Sequence, residues 1–317
     1  MLNKFGLKLK LLLFIGCVVM LSISIITSVS FYKSKDALSD LTIKQLESSG
    51  NSIKESLNSF MVRSKKFTEI LSKDRLVEGL FIAYESSFYG SSFKVGKDIQ
   101  IANEYYKKLD LKYADRKVAF LTDYEFKDVL LVNLNGQIIF TANNNLGDMY
   151  LGRNLDNGVY KDTPLHKCYT EIKNEKNDNL VFSGFFVNDT SNKVAGFLCA
   201  KKKAEFTNED EGIYAGDVIG FVITEVDGDK ITKMLTSRTG MGKTGQSYLV
   251  GDDYLLRSDF FVNAEKFNSI NSMKNNVKVD SSFVKKGIEG KTGVETSQNV
   301  NNNIVTAFYQ PFEFIGA

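Results

Sequence analysis

Few residues in this chain have types and spacings suited to chemistry. His166 is the one histidine in 317 residues. A Ser-His-Asp triad would have to use it, and no serine sits in a Gly-x-Ser-x-Gly setting. A lone histidine cannot build a His-rich metal site, and neither His-Glu-x-x-His nor Cys-x-x-Cys occurs. His166 reads instead as a surface residue on a short helix opened by Pro164. Met241-Gly242-Lys243-Thr244 has the ending of a phosphate-binding loop. That motif needs glycine where Ser237 stands, a strand before it and a helix after it, because helix N-terminal amides hold the phosphates. Here a helix is predicted before and a strand after, so the glycines read as a sharp turn. No catalytic group, metal or cofactor is expected. An anchored hydrolase using His166 is the enzymatic alternative.

The elements around these residues begin with an export signal of some kind. Lys4, Lys8 and Lys10 precede Leu11 to Phe31, a segment without charge. About 20 apolar residues at 1.5 Å rise cross a bilayer core of about 30 Å. The flanking lysines place the N-terminus in the cytoplasm. A cleaved signal peptide, with Ser28-Val29-Ser30 near its cleavage point, is the alternative, but such apolar cores run to about 7–15 residues. Both readings export the remainder. Forty basic and 38 acidic residues leave a net charge of +2, so no basic field invites nucleic acid. Cys17 lies in the apolar segment, which leaves Cys168 and Cys199 as the one possible exported pair. An oxidising compartment allows that bond without requiring it.

Ser34 to about Leu71 reads as one long helix. Ile53, Leu57, Phe60, Ser64, Phe67 and Leu71 follow a 4-3-4-3 heptad spacing, either for a partner chain or for the helix's own domain. Residues 75–120 are mostly helical, with a Gly/Ser break at 89–92. The period then changes. Phe126 to Val132 and Gln137 to Ala142 flank an Asn-Gly turn and predict a hairpin. A helix near 166–173 follows, then strands at 180–187, 194–201 and 218–226. Lys201 to Glu211 reads as a solvated loop. These elements predict an antiparallel sheet with helices on one face, an α+β module. The pattern then repeats in shorter form: a helix over 229–236, strands at 246–250 and 254–258, a helix around 281–289, and strands at 293–298 and 304–308.

The segment ITKMLTSRTGMGKTGQSYLVGDDYLLRSDF resembles the join and hairpin of double Cache sensor domains of bacterial methyl-accepting chemotaxis proteins. Arg238, Thr239, Gly240, Gly242, Thr244, Gly245, Tyr248, Leu249, Val250, Gly251, Arg257, Ser258 and Asp259 stand at the positions of that pattern, and Lys243 replaces a common acid. The stretch from Tyr124 to Leu155 is similar to the first-module hairpin, with Asn154-Leu155 matching an Asn-Leu pair. NLVFSGFF resembles the next strand, with Gly184 as the departure.

The resemblance implies a receptor input region. Its expected order is a cytoplasmic N-terminus over 1–10, a transmembrane helix over 11–31 and a stalk helix over 32–75. A membrane-distal PAS-like module over 76–228 and an incomplete proximal one over 229–317 follow. A second membrane helix would come next in the family, so the chain reads as truncated at Ala317. The implied partners are a small-molecule ligand or a solute-binding protein, a bacterial inner membrane, and a second copy through the stalk, with the main domain periplasmic. The ligand wall is expected to include Phe126, Asp128, Tyr150, Tyr160, Ser183 and Phe185. The amino-acid-binding subset carries Arg-x-Trp-Tyr, and a chain without tryptophan lacks it. The same input region would also serve a histidine kinase or a nucleotide cyclase. A stand-alone anchored binding protein is a further alternative.

Overall fold

The computed structural model describes residues 7–89, 104–144, 147–188, 191–236 and 241–314. The glycine and serines of the break expected at 89–92 lie outside the described residues. Helix α1, Leu7–Lys73, runs 67 residues without a break. No proline interrupts it, and hydroxyls in it return to its own carbonyls, as Ser22 Oγ does to Val18 O at 2.9 Å. Among the described residues α1 is the one helix long and apolar enough to cross a membrane, and its large apolar side chains from Phe14 through Phe31 lie exposed. Further along, the heptad stripe is buried: Leu57, Phe60, Ser64 and Leu71 pack on the chain's own sheet.

The chain turns at Asp74, whose carboxylate accepts from Leu76 N at 2.6 Å and starts α2, Arg75–Tyr89. Helices α3, Glu104–Lys112, and α4, Ala114–Thr122, follow. Then come β1, Asp128–Asn133; β2, Ile138–Thr141; α5, Gly147–Tyr150; and α6, Pro164–Asn174. Strands β3, Val181–Asn188, β4, Lys193–Lys203, and β5, Val218–Asp227, complete a five-stranded antiparallel sheet of order β2-β1-β5-β4-β3. At the β1–β2 turn, Asn133 Oδ1 accepts from Asn135 N and Gln137 N. Gly136 sits there at φ +75°, where a Cβ would come within 2.8 Å of Asp156.

Helices cover both faces of this sheet, not one. On the first face Val129, Leu131 and Val222 pack with Leu71, Phe81 and Phe120 of α1, α2 and α4. On the second, Leu130, Val132, Phe197 and Ile223 pack with Tyr150, Tyr169 and Ile172 of α5 and α6. The unbroken burial of β1 and most of β5 follows from this double cover. A Cys168–Cys199 disulfide, with Cα atoms 6.2 Å apart, ties α6 to β4. The lone histidine helps open α6: its amide donates to Thr163 Oγ1, and its Nδ1 accepts from Asp162 N at 3.1 Å.

Two further sequence expectations are corrected. Lys201 to Lys203 belong to β4 rather than to a loop. Lys202 is fully buried because its ammonium donates to Asp74 O, at 3.1 Å, beyond the C-terminus of α1. Burial lowers its pKa, against the pull of Glu78, Glu205 and Asp74. The strands expected over 246–250 and 254–258 reduce to a single bridge between Val250 and Leu256. Side chains take ladder amides there: Leu249 N donates to Ser258 Oγ and Leu255 N to Asp253 Oδ1.

After β5 the chain forms α7, Gly228–Leu235; α8, Ser269–Asn275; α9, Ser282–Ile288; and the β6–β7 hairpin, Gly293–Gln298 with Ile304–Tyr309. Leu256, Phe260, Phe267, Val279 and Phe283 form its core. The last described segment returns to α1. Gln310 Nε2 donates to Gly50 O at 2.9 Å, and Phe314 packs on Phe182 and Phe185 of β3.

Candidate functional site

Strands β1 and β5 pair so that Asp128 and Glu225 are direct partners. Side chains alternate along a strand, so both carboxylates share a face with Leu130, Val132 and Ile223, the face covered by α5 and α6. Both are buried. Asp128 accepts from Val129 N at 2.7 Å, from Ala142 N and Asn143 N at 2.9 Å, and from Thr141 Oγ1 at 2.5 Å. Glu225 accepts from Tyr150 OH at 2.9 Å. That hydroxyl in turn accepts from Asn188 Nδ2 at 2.9 Å. Tyr160 stacks on Tyr150 with ring centroids 5.6 Å apart and donates to Met149 O. One polar chain thus runs from the tip of β3 through the cap to β5, inside an otherwise apolar core.

Burial pushes both carboxyls up to about 7. For Glu225 the neighbouring Asp128 charge raises it further, while the Tyr150 hydroxyl and Lys127 pull it down. Four donors on Asp128 favour its charged form, and Glu225 has the single tyrosine hydroxyl, so the first proton taken up goes to Glu225. Burial first, then the Glu225 charge, raises the Tyr150 phenol and keeps it a neutral donor. The cluster holds no nucleophile beside a base. It offers acceptors, a shareable proton and stacked aromatic rings, which is equipment for recognition.

The cap over the cluster is held from below. Asn154 Nδ2 donates to Asn135 O at 2.8 Å, and its Oδ1 accepts from Asp156 N and Asn157 N at 3.0 Å, which fixes the chain between α5 and α6 on the β1–β2 turn. A cavity of about 220 Å³ lies elsewhere, between α2 and α4 on the opposite face of the sheet. The carboxylate cluster itself is filled by its own side chains.

Of the six wall residues named from the sequence, Asp128, Tyr150 and Tyr160 come together here. Phe126 packs on the α2–α4 face and Phe185 against α1. Ser183 sits in the β3 bulge, accepting from Phe197 N at 2.8 Å and donating to Gly184 O. The glycine-rich join serves the second unit. Gly242 has φ +64°, and a Cβ on Gly245 would strike Met241 O. Thr244 is exposed. The Tyr248 ring packs at a tilt against Phe260, Arg257 pairs with Asp253 at 2.7 Å, Ser258 accepts from Leu249 N, and Asp259 accepts from Ser269 N and Oγ. Arg238, Thr239 and Gly240 lie outside the described residues. Sequence reading missed Glu225 and Asn188. The signal for Glu225 was a carboxylate inside the apolar run Val218 to Val226.

No family model matches the chain, and no curated protein sequence matches it. Solved structures do. A structure described as methyl-accepting chemotaxis protein X superposes with a TM-score of 0.51 at 10% identity, over 88% of this chain and 94% of that one. The sensory domain of the Campylobacter jejuni chemoreceptor Tlp3 gives 0.48 at 12% identity, over 86% and 90%. The ligand-binding domain of the Pseudomonas aeruginosa PAO1 amino-acid chemoreceptor PctC, in complex with GABA, gives 0.45 at 12%, over 81% and 88%. At such identities the likeness speaks for the fold alone. The chain has the double Cache sensor-domain fold, a mixed α+β architecture behind a long N-terminal helix.

Proposed function

We propose that this chain is the extracytoplasmic sensing region of a transmembrane receptor. Leu11 to Phe31 of α1 would anchor it in the membrane, residues 76–228 would form the distal sensing module, and residues 229–317 the proximal one. A small polar solute would bind in the distal module between the sheet and the α5–α6 cap. The output we favour is chemotaxis.

One observation carries this reading. Asn188, Tyr150 and Glu225 form a bonded polar chain buried under a cap, with the buried Asp128 carboxyl opposite Glu225 on the ladder. Apolar residues of similar volume would stabilise a core at least as well as buried charges do, and perturbed carboxylates gather at functional sites. Binding at this place requires the cap to open, because its own aromatic rings fill the space. A solute that binds the folded chain at 100 times its Kd adds about 2.7 kcal/mol of stability.

The test is thermal denaturation of the full chain in detergent micelles against amines, amino acids and organic acids. At least one class should raise the melting temperature, and Asn188→Ala should weaken that effect. If no solute stabilises the chain, or if stabilisation persists unchanged in an Asn188→Ala, Tyr150→Phe double variant, sensing through this cluster is wrong.

A further inference from the structure

We infer that the cavity between α2 and α4 is a second binding site, for a small organic acid with an apolar body. It encloses about 220 Å³ on the sheet face opposite the carboxylate cluster. At about 30 Å³ per water molecule it has room for roughly seven waters, enough for a single-ring or short-chain acid. Its wall is mostly apolar, with Leu76, Val77, Leu80, Ala119, Phe120 and Tyr124 contributing. Such a wall favours an apolar body and a few convergent polar contacts.

The charge lining the cavity selects the sign of the ligand. Arg75 and Arg116 both line it and both are solvent-exposed. Among the described residues Arg116 makes no ion pair, and Arg75 has only the Phe206 ring, 4.4 Å from its guanidinium carbon. The one carboxylate in the lining, Asp74, is engaged in capping α2 through Leu76 N. Two guanidiniums against one occupied carboxylate leave the site positive. The N-terminal end of α2 adds to the same sign. A planar guanidinium matches a carboxylate with two parallel hydrogen bonds, which makes an acid the fitting class.

The site differs from the carboxylate cluster in every respect that a probe can read: opposite face, opposite charge, different helices. Sodium benzoate is a suitable probe and benzamide its uncharged control, measured by calorimetric titration on the full chain in detergent micelles. Benzoate should bind saturably and benzamide at least tenfold more weakly. Arg116→Gln, an exposed change, should weaken benzoate about tenfold, since a charge-assisted hydrogen bond contributes about that much. Ala119→Phe should abolish binding by filling the cavity, and Tyr150→Phe should leave it unchanged. Absence of saturable benzoate binding overturns the proposal. So does equal binding of benzamide, unaltered affinity in Arg116→Gln, or loss confined to Tyr150→Phe.

Discussion

Asp128 and Glu225 face each other across the β1–β5 ladder with both carboxyls buried beneath the same cap. Their environments are unequal. Asp128 is surrounded by three backbone amides and a threonine hydroxyl, whereas Glu225 has the Tyr150 hydroxyl. Burial raises both carboxyls to about 7, and the donors around Asp128 make Glu225 the first of the pair to take up a proton.

This inequality links folding to pH. Burial raises the Glu225 carboxyl to about 7, while in an unfolded chain a glutamate titrates near 4.3. Between those values the folded chain holds a proton that the unfolded chain has released. The resulting stability is fully present below about pH 4 and is lost as pH rises through about 7. At 1.36 kcal/mol per unit, this group accounts for about 4 kcal/mol of that loss. Glu225→Gln keeps an oxygen for the Tyr150 hydroxyl and removes the titration. The variant should exceed the parent by about 1 kcal/mol near pH 5 and by about 3–4 kcal/mol at pH 8, measured by urea unfolding at both values. Equal stability of the two proteins at pH 8 refutes the assignment.

The Cys168–Cys199 bond closes a sequence separation of 31 residues and holds α6 over the second face of the sheet. By chain entropy such a loop contributes between about 3 and 4.7 kcal/mol. A Cys168→Ala, Cys199→Ala double variant should melt roughly 10 °C lower, at about 2–4 °C per kcal/mol for a chain of this size class. Thiol titration of the denatured, unreduced protein should find one free cysteine, Cys17. Three reactive thiols there mean the bond does not form.

Much of the first sheet was legible because its signals are local. Asn133 to Gly136 is a turn by its own side chains, and the β-branched runs around it have strand length. The long helix was legible from its missing prolines and its heptad stripe. What stayed hidden depends on partners distant in sequence. Lys202 looked solvated because nothing nearby in sequence tells that Asp74 O, 128 residues away, receives its ammonium. The 246–258 hairpin did not form as expected because Ser258 and Asp253 take amides that the ladder would have used. In the site, Asp128 was readable from its place in the hairpin. Glu225 became meaningful only once β5 was known to pair with β1, and Asn188 only once β3 was known to end beneath Tyr150.

Gly50 joins the two ends of the described chain. It lies within α1, where glycine costs about 1 kcal/mol against alanine, so its presence needs a packing reason. The Phe308 ring supplies one: a Cβ on Gly50 would meet its Cδ1 at 2.5 Å. Gln310 Nε2 bonds the Gly50 carbonyl at 2.9 Å, so the ring cannot withdraw without straining that bond. Gly50→Ala therefore sets a helix-propensity gain of about 1 kcal/mol against an overpacking cost of about 1–3 kcal/mol. Global stability should change by no more than about 2 kcal/mol, while the contact between β7 and α1 loosens. Hydrogen exchange should accelerate in Ile304–Tyr309 and stay unchanged in Asp128–Asn133, which lies in the other sheet. Unaltered exchange in β7 would mean that Phe308 moves aside freely and that the C-terminal segment is not held by this helix.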